Sequence, residues 1–139
     1  MRKNEKGFSF IELIVVVTII LVLTVAGTVS YQGASRRSRD SRRMSDLQKL
    51  AISLEVYKQE EGTYPGASGG MPANLVELEY IQELPSDPKA DFNYLYNPGT
   101  NSYSYALYAQ MEDSGSENYT GTEDCGGGSG TCNYRLLSP

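Results

Sequence analysis

The sequence predicts an α+β protein: a long N-terminal α-helix, apolar in its first half and amphipathic in its second, packed on a small antiparallel β-sheet head. Three observations carry that expectation. Residues Phe8 to Val29 hold one charged side chain, Glu12. Residues 31–62 contain no proline and place apolar residues three and four apart. Residues 63–139 are acidic, rich in Gly and Tyr, and show two stretches of strand-like alternation.

Composition narrows the function classes. The 139 residues carry 12 Lys+Arg and 17 Asp+Glu, a net charge of −5, with no His, no Trp and two Cys. His-based acid–base chemistry, a His-ligated metal and a Cys₄ zinc site are therefore excluded. A sequence pI near 4.7 argues against a nucleic-acid partner. No carboxylate pair or Ser/Lys constellation suggests an enzyme. The charge is polarised: residues 1–43 hold eight Lys/Arg against three acids, and residues 44–139 hold four against fourteen.

The opening seven residues are short and basic, with Arg2, Lys3 and Lys6. At Phe8 the chain turns apolar. As a helix, Phe8–Val29 extends roughly 33 Å at about 1.5 Å per residue, matching a hydrocarbon core of about 30 Å. Val, Ile and Thr dominate and are weak helix formers in water. In lipid, a lone span has no other way to satisfy its backbone. The stretch is longer than a signal-peptide core, and Ala26-Gly27-Thr28 is the nearest approach to a small-residue cleavage site. Glu12 is costly in such a span unless it snorkels or meets a cationic partner.

Lys6-Gly7-Phe8, Glu12 and the apolar run together resemble the class III signal of type IV pilins and the related pseudopilins. That resemblance implies cleavage between Gly7 and Phe8 by a prepilin peptidase, N-methylation of the new Phe8 amine, and pairing of Glu12 with the Phe8 amine of a neighbouring subunit. It also implies a structural subunit assembled with copies of itself into a helical filament. The precursor is expected as a single-pass protein of the inner membrane, handed by assembly machinery to a periplasmic or extracellular filament. The expected organisation is a leader, 1–7; a transmembrane and polymerisation helix, 8–30; its amphipathic continuation, 31–62; and a globular head, 63–139.

In the second helical half, Met44, Leu47, Leu50, Ala51, Leu54 and Tyr57 form an apolar stripe, with Asp46, Lys49, Glu55, Lys58 and Gln59 expected on the solvated face. Gly62 and Pro65 supply a stop. The run Arg36, Arg37, Arg39, Arg42 and Arg43 is expected chiefly as a solvated face; a headgroup contact and a subunit contact are the sharper readings. Counting Lys/Arg beside the span would place that run on the cytoplasmic side, against the orientation the leader implies. Pilins often carry a proline in this helix; here Gly27 and Gly33 are the weak points.

In the head, a loop is expected near 66–72, a short helix over Ala73–Glu79, and packing by Tyr80-Ile81 and Leu84-Pro85. Phe92, Tyr94 and Tyr96 alternate, then Asn97–Asn101 form a turn cluster, then Tyr103, Tyr105, Leu107 and Ala109 alternate again: a β-hairpin. A third strand is expected near Tyr134–Leu137. So small a head needs a staple, and Cys125 with Cys132 can supply a disulfide; two free thiols or a mixed Cys/carboxylate site are the alternatives. The residues between, 126–130, read as a flexible loop. Thr63-Tyr64-Pro65, residues 80–88 and the Tyr-rich hairpin also resemble the head of the major pseudopilin of type II secretion and of short G-type pilins, which leaves a surface pilus, a DNA-uptake pilus and a secretion pseudopilus all open. That likeness implies a calcium site in the C-terminal loop, for which Glu112, Asp113, Glu117, Glu123 and Asp124 are the candidate ligands; otherwise no cofactor is expected. Asn118-Tyr119-Thr120 is a glycosylation-type triplet. The rival reading is a monomeric, single-span anchored binding domain with a Tyr-rich recognition surface.

Overall fold

A computed structural model describes residues 7–66, 70–126 and 130–139. Helix α1 runs Phe10–Glu61, α2 Asn74–Glu77, and the strands are β1 Leu95–Pro98, β2 Tyr105–Ala109, β3 Asp124–Gly126, β4 Gly130–Thr131 and β5 Tyr134–Leu137. The chain divides within α1 into two compact units, Met1–Ser35 and Arg36–Pro139.

The first unit is helical from Phe10 onward, through Gly27 and Gly33. Its apolar side chains face outward: Phe8 is 84 % exposed and Leu23 65 %. α1 is the one helix among the described residues long and apolar enough to cross a membrane. Its threonines suit that setting. Thr18 Oγ1 donates to the Ile14 carbonyl, Thr24 to Ile20 and Thr28 to Val25, at 2.5, 2.7 and 2.9 Å, so each hydroxyl is satisfied one turn back along its own helix.

The second unit packs residues 36–61 of α1 on an antiparallel sheet ordered β1-β2-β5. Tyr96 pairs with Leu107, and Leu107 with Leu136. The core unites Leu47, Leu50 and Leu54, all fully buried, with Leu75, Tyr94, Tyr96, Tyr105, Leu107 and Ala109. Each buried leucine contributes roughly 1.5–3 kcal/mol. Period-two alternation gives the sheet a second covered face, where Tyr108 meets Cys125 and Cys132, flanked by Leu95, Ala106 and Tyr119. The β3–β4 ribbon carries the Cys125–Cys132 disulfide, whose Cα atoms lie 5.2 Å apart.

A core built from tyrosine requires a partner for every hydroxyl. Tyr96 donates to the Pro65 carbonyl at 2.7 Å and Tyr94 to Asp46 at 3.0 Å. Tyr64 and Tyr105 both donate to Glu55, at 2.7 and 3.4 Å. Asp46 and Glu55, expected on the solvated face, therefore turn toward the sheet instead. The apolar stripe alone does not show this, because the demand comes from phenols distant in sequence. Burial, reinforced by Asp46, raises the Tyr94 hydroxyl well above its ordinary pKa.

The hairpin is shifted from its expected bounds. Asn97 and Pro98 lie inside β1, paired with Ala106 and Tyr105. Because β1 is an edge strand, Pro98 breaks no interior ladder. The turn is instead residues 99–104, closed by Gly99 N–H donating to the Ser104 carbonyl at 2.7 Å. A Cβ on Gly99 would sit 2.0 Å from Ser104 Oγ, so only glycine fits. Tyr103, expected on the core face, lies in this loop and is 59 % exposed. Phe92 precedes β1 and forms an isolated bridge to Gly126. The helix expected over Ala73–Glu79 shortens to α2, with Glu79 in the left-handed region at φ 61°. β5 falls where the third strand was expected. The Gly127–Ser129 part of the expected flexible loop and the leader's Arg2, Lys3 and Lys6 lie outside the described residues.

Candidate functional site

The processing junction is local in origin. Gly7, Phe8 and Ser9 precede α1 and are exposed. Nothing lies within 4 Å of a Cβ built on Gly7, so packing does not require a glycine there. Ser9 and Glu12 have the Ser-x-x-Glu spacing of a capping box. Ser9 N–H donates to Glu12 Oε2 at 3.5 Å, while Glu12 and Leu13 N–H return to the Ser9 carbonyl. The Ser-x-x-Glu spacing is the sequence signal for this cap, and the apolar run that follows masks it. Among the described residues no cation pairs with Glu12, and the apolar residues that follow it are exposed.

The arginine run lies in the second unit and behaves differently. Arg43 is fully buried, and its guanidinium reaches three carboxylates: Asp87 through Nε and Nη2 at 2.7 and 2.8 Å, Asp40 at 2.7 Å and Glu112 at 3.0 Å. Arg39 forks onto Glu112 with two bonds of 2.7 Å, the planar geometry that makes Arg–carboxylate pairs strong. Arg37 contacts Asp113 at 3.1 Å from an exposed position. Asp40 also accepts the backbone N–H groups of Glu112 and Asp113, at 3.0 and 2.9 Å, tying that loop to α1. The Arg43 guanidinium lies 5.3 Å from the Phe92 ring centroid.

Arg39 and Arg43 thus overturn the expectation of a solvated basic face. They neutralise carboxylates of their own head. Arg36 and Arg42 remain on the surface. Burial works against the Arg43 charge, but its carboxylate partners more than offset it and raise its pKa. The hydrogen bonds from Arg39, then those from Arg43, hold Glu112 down at about 2.

The five acidic candidates for a cation do not converge. Glu112 and Asp113 are engaged by arginines, Asn133 donates to Glu117 at 3.0 Å, Tyr119 donates to Glu123, and Gly126 N–H donates to Asp124 at 2.8 Å. Among the described residues no group of three or more Cys, Asp or Glu is placed to hold a metal ion. Asn118 of the glycosylation-type triplet is held at both ends by the Arg135 backbone, at 3.0 and 2.7 Å.

A family model, the prokaryotic N-terminal methylation motif, matches residues 2–28. The chain is similar to the type II secretion system core protein G of Escherichia coli strain K12, 30 % identical across 89 % of this chain and 92 % of that protein. It is likewise similar to the core protein G of Vibrio cholerae, 31 % identical across 71 % and 75 % of the two chains. The Pseudomonas aeruginosa counterpart is 26 % identical across 84 % and 92 %. No solved structure matches with statistical significance.

Proposed function

We propose, for a chain that belongs to the family of the type II secretion system core protein G, the place of the repeating subunit of a secretion pseudopilus. It is a pilin-like structural subunit carrying the prepilin methylation motif. In this reading a prepilin peptidase cuts between Gly7 and Phe8, the Phe8 amine is methylated, and Glu12 accepts that amine from the next copy. The precursor waits in the inner membrane with its head on the oxidising side, where the Cys125–Cys132 bond is stable. Its partners are further copies of itself, the peptidase and the assembly machinery. The chain acts as a building block and carries out no catalysis of its own.

The observation that supports this most is the unpartnered apolar helix together with Glu12. An exposed apolar surface of this size is stable only in lipid or against similar helices. A carboxylate within it gains from a cation that arrives with the neighbour. Two unit charges about 4 Å apart attract by roughly 4 kcal/mol at an effective dielectric near 20. Because desolvation of each charge is offset only when they meet, the pair favours one axial register between copies. The junction supports the cleavage step, since Gly7 is exposed and its missing Cβ serves no packing need.

The arginine network also bears on orientation. Once the head folds, Arg39 and Arg43 are bound to acids far along the chain. These two of the five arginines then belong to the folded head, and Arg36, Arg37 and Arg42 alone stay exposed beside the span.

Intact mass of the chain purified from cells with its own secretion machinery tests the reading. The expected species is Phe8–Pro139 plus one methyl group, minus two hydrogens for the disulfide. A retained leader, or cleavage after Ala26, overturns it.

A further inference from the structure

In the second unit an open groove of about 710 Å³ lies between α1 and the 81–86 segment. Ile81, Leu84 and Pro85 supply an apolar floor, each half-buried. Arg42 and Lys49 stand on the α1 rim with side chains 63 % and 64 % exposed. Both reach Asp46, at 3.8 and 3.4 Å, but that carboxylate also accepts from Tyr94. Two cations sharing one acid leave the α1 rim positive. Glu83 lines the opposite side, so a bound carboxylate is directed toward α1.

The same head carries a corner of complementary form. Glu77, Leu78 and Glu79 are consecutive and exposed, with Leu78 49 % exposed. Glu79 adopts φ 61°, a conformation that non-glycine residues rarely hold. The corner is anchored further along α1 than the groove, since Asn74 donates to the Tyr57 hydroxyl. Tyr57 lies about 17 Å along the helix axis from Asp46 at about 1.5 Å per residue. The corner ends two residues before Ile81 of the groove floor, but the two surfaces share no lining residue, so a corner-to-groove contact is heterologous and can repeat from copy to copy.

We propose that the Glu77–Glu79 corner of one copy docks in this groove of a second copy. Leu78 rests on the Ile81–Leu84–Pro85 floor, and the two carboxylates face Arg42 and Lys49. The inference rests on the reading of the chain as a filament subunit and adds which faces of neighbouring heads meet.

The test uses the full chain in cells that assemble it. Leu78→Cys combined with Ser45→Cys is expected to give an oxidation-dependent ladder of cross-linked copies in sedimented polymer. The single variants and the Glu12→Ala background should give none. Separately, Glu77→Lys with Glu79→Lys is expected to lower polymer yield about tenfold, with recovery when Arg42→Glu and Lys49→Glu are added. Polymer that forms without the ladder overturns the contact and leaves the filament reading intact. A ladder from Leu78→Cys alone indicates corner-to-corner pairing and also overturns it. An unsubstituted chain that forms no sedimenting polymer overturns both.

Discussion

Glu12 and Arg43 are charged groups on the same helix, placed in opposite circumstances. Arg43 is fully buried, and three carboxylates of its own head surround it. Among the described residues Glu12 has no cation, and it stands in a stretch whose apolar side chains are exposed. Where the chain completes its own interactions, the result is a stable folded head. Where it leaves apolar surface and a charge uncompleted, the completion comes from lipid or from another copy. Stability and assembly are thereby assigned to different parts of one α-helix, and each can be perturbed alone.

The largest separation is expected from Glu12→Ala. Loss of one partner from the ion pair proposed between Glu12 and a neighbouring copy's Phe8 amine should cost about 3–5 kcal/mol, so sedimentable polymer should fall on the order of a hundredfold. The melting temperature of the head should be unchanged. Polymer within twofold of the parent chain would break the comparison and favour a monomeric anchored domain.

Arg43→Ala should act in the opposite sense. It strands Asp40, Asp87 and Glu112 around an empty position and should destabilise the head by about 3–5 kcal/mol, read as a lower urea midpoint. Membrane insertion should be unaffected.

Reduction of the Cys125–Cys132 bond should have an intermediate effect. Chain entropy for so short a loop gives at most about 2.5 kcal/mol, seen as a difference in melting temperature with and without reductant.

Acid should act mainly on the head, and more gently. Glu112 titrates at about 2 in the fold, below its ordinary 4.5. A depressed carboxylate contributes stability above its unfolded pKa, and that contribution is lost as pH falls through the folded one. Denaturant midpoints should therefore decline between about pH 4.5 and about 2, and Glu112→Gln should flatten part of that decline. The smallest effect is expected from Arg36→Ala, an exposed residue of the same run. A change within about 0.5 kcal/mol would show that pairing, and not the number of basic residues, stabilises the head.

Much of this contrast was legible in the chain itself. The apolar run, Glu12 and the Gly7–Phe8 junction are contiguous, so their pattern survives without any fold. Leu47, Leu50 and Leu54 announce their shared face by spacing alone, and the alternation around Tyr105 to Ala109 announces a strand. The fates of the arginines were not legible. Arg43 meets Asp87 at a separation of 44 residues and Glu112 at 69. A charge run reads the same whether solvent or a distant acid receives it. Asp46 and Glu55 were misplaced for the same reason, since only the assembled sheet brings tyrosine hydroxyls to them.

By itself the sequence determined which stretch is long and apolar enough to cross a membrane, which helix face is apolar, and where β2 and β5 lie. These depend on local periodicity and composition, which act over a few residues. Tertiary structure alone decided which charges are spent inside the head and which stay available to a neighbour. Charge pairing depends on distances between remote segments, and burial sets its strength by removing the water that would otherwise screen it.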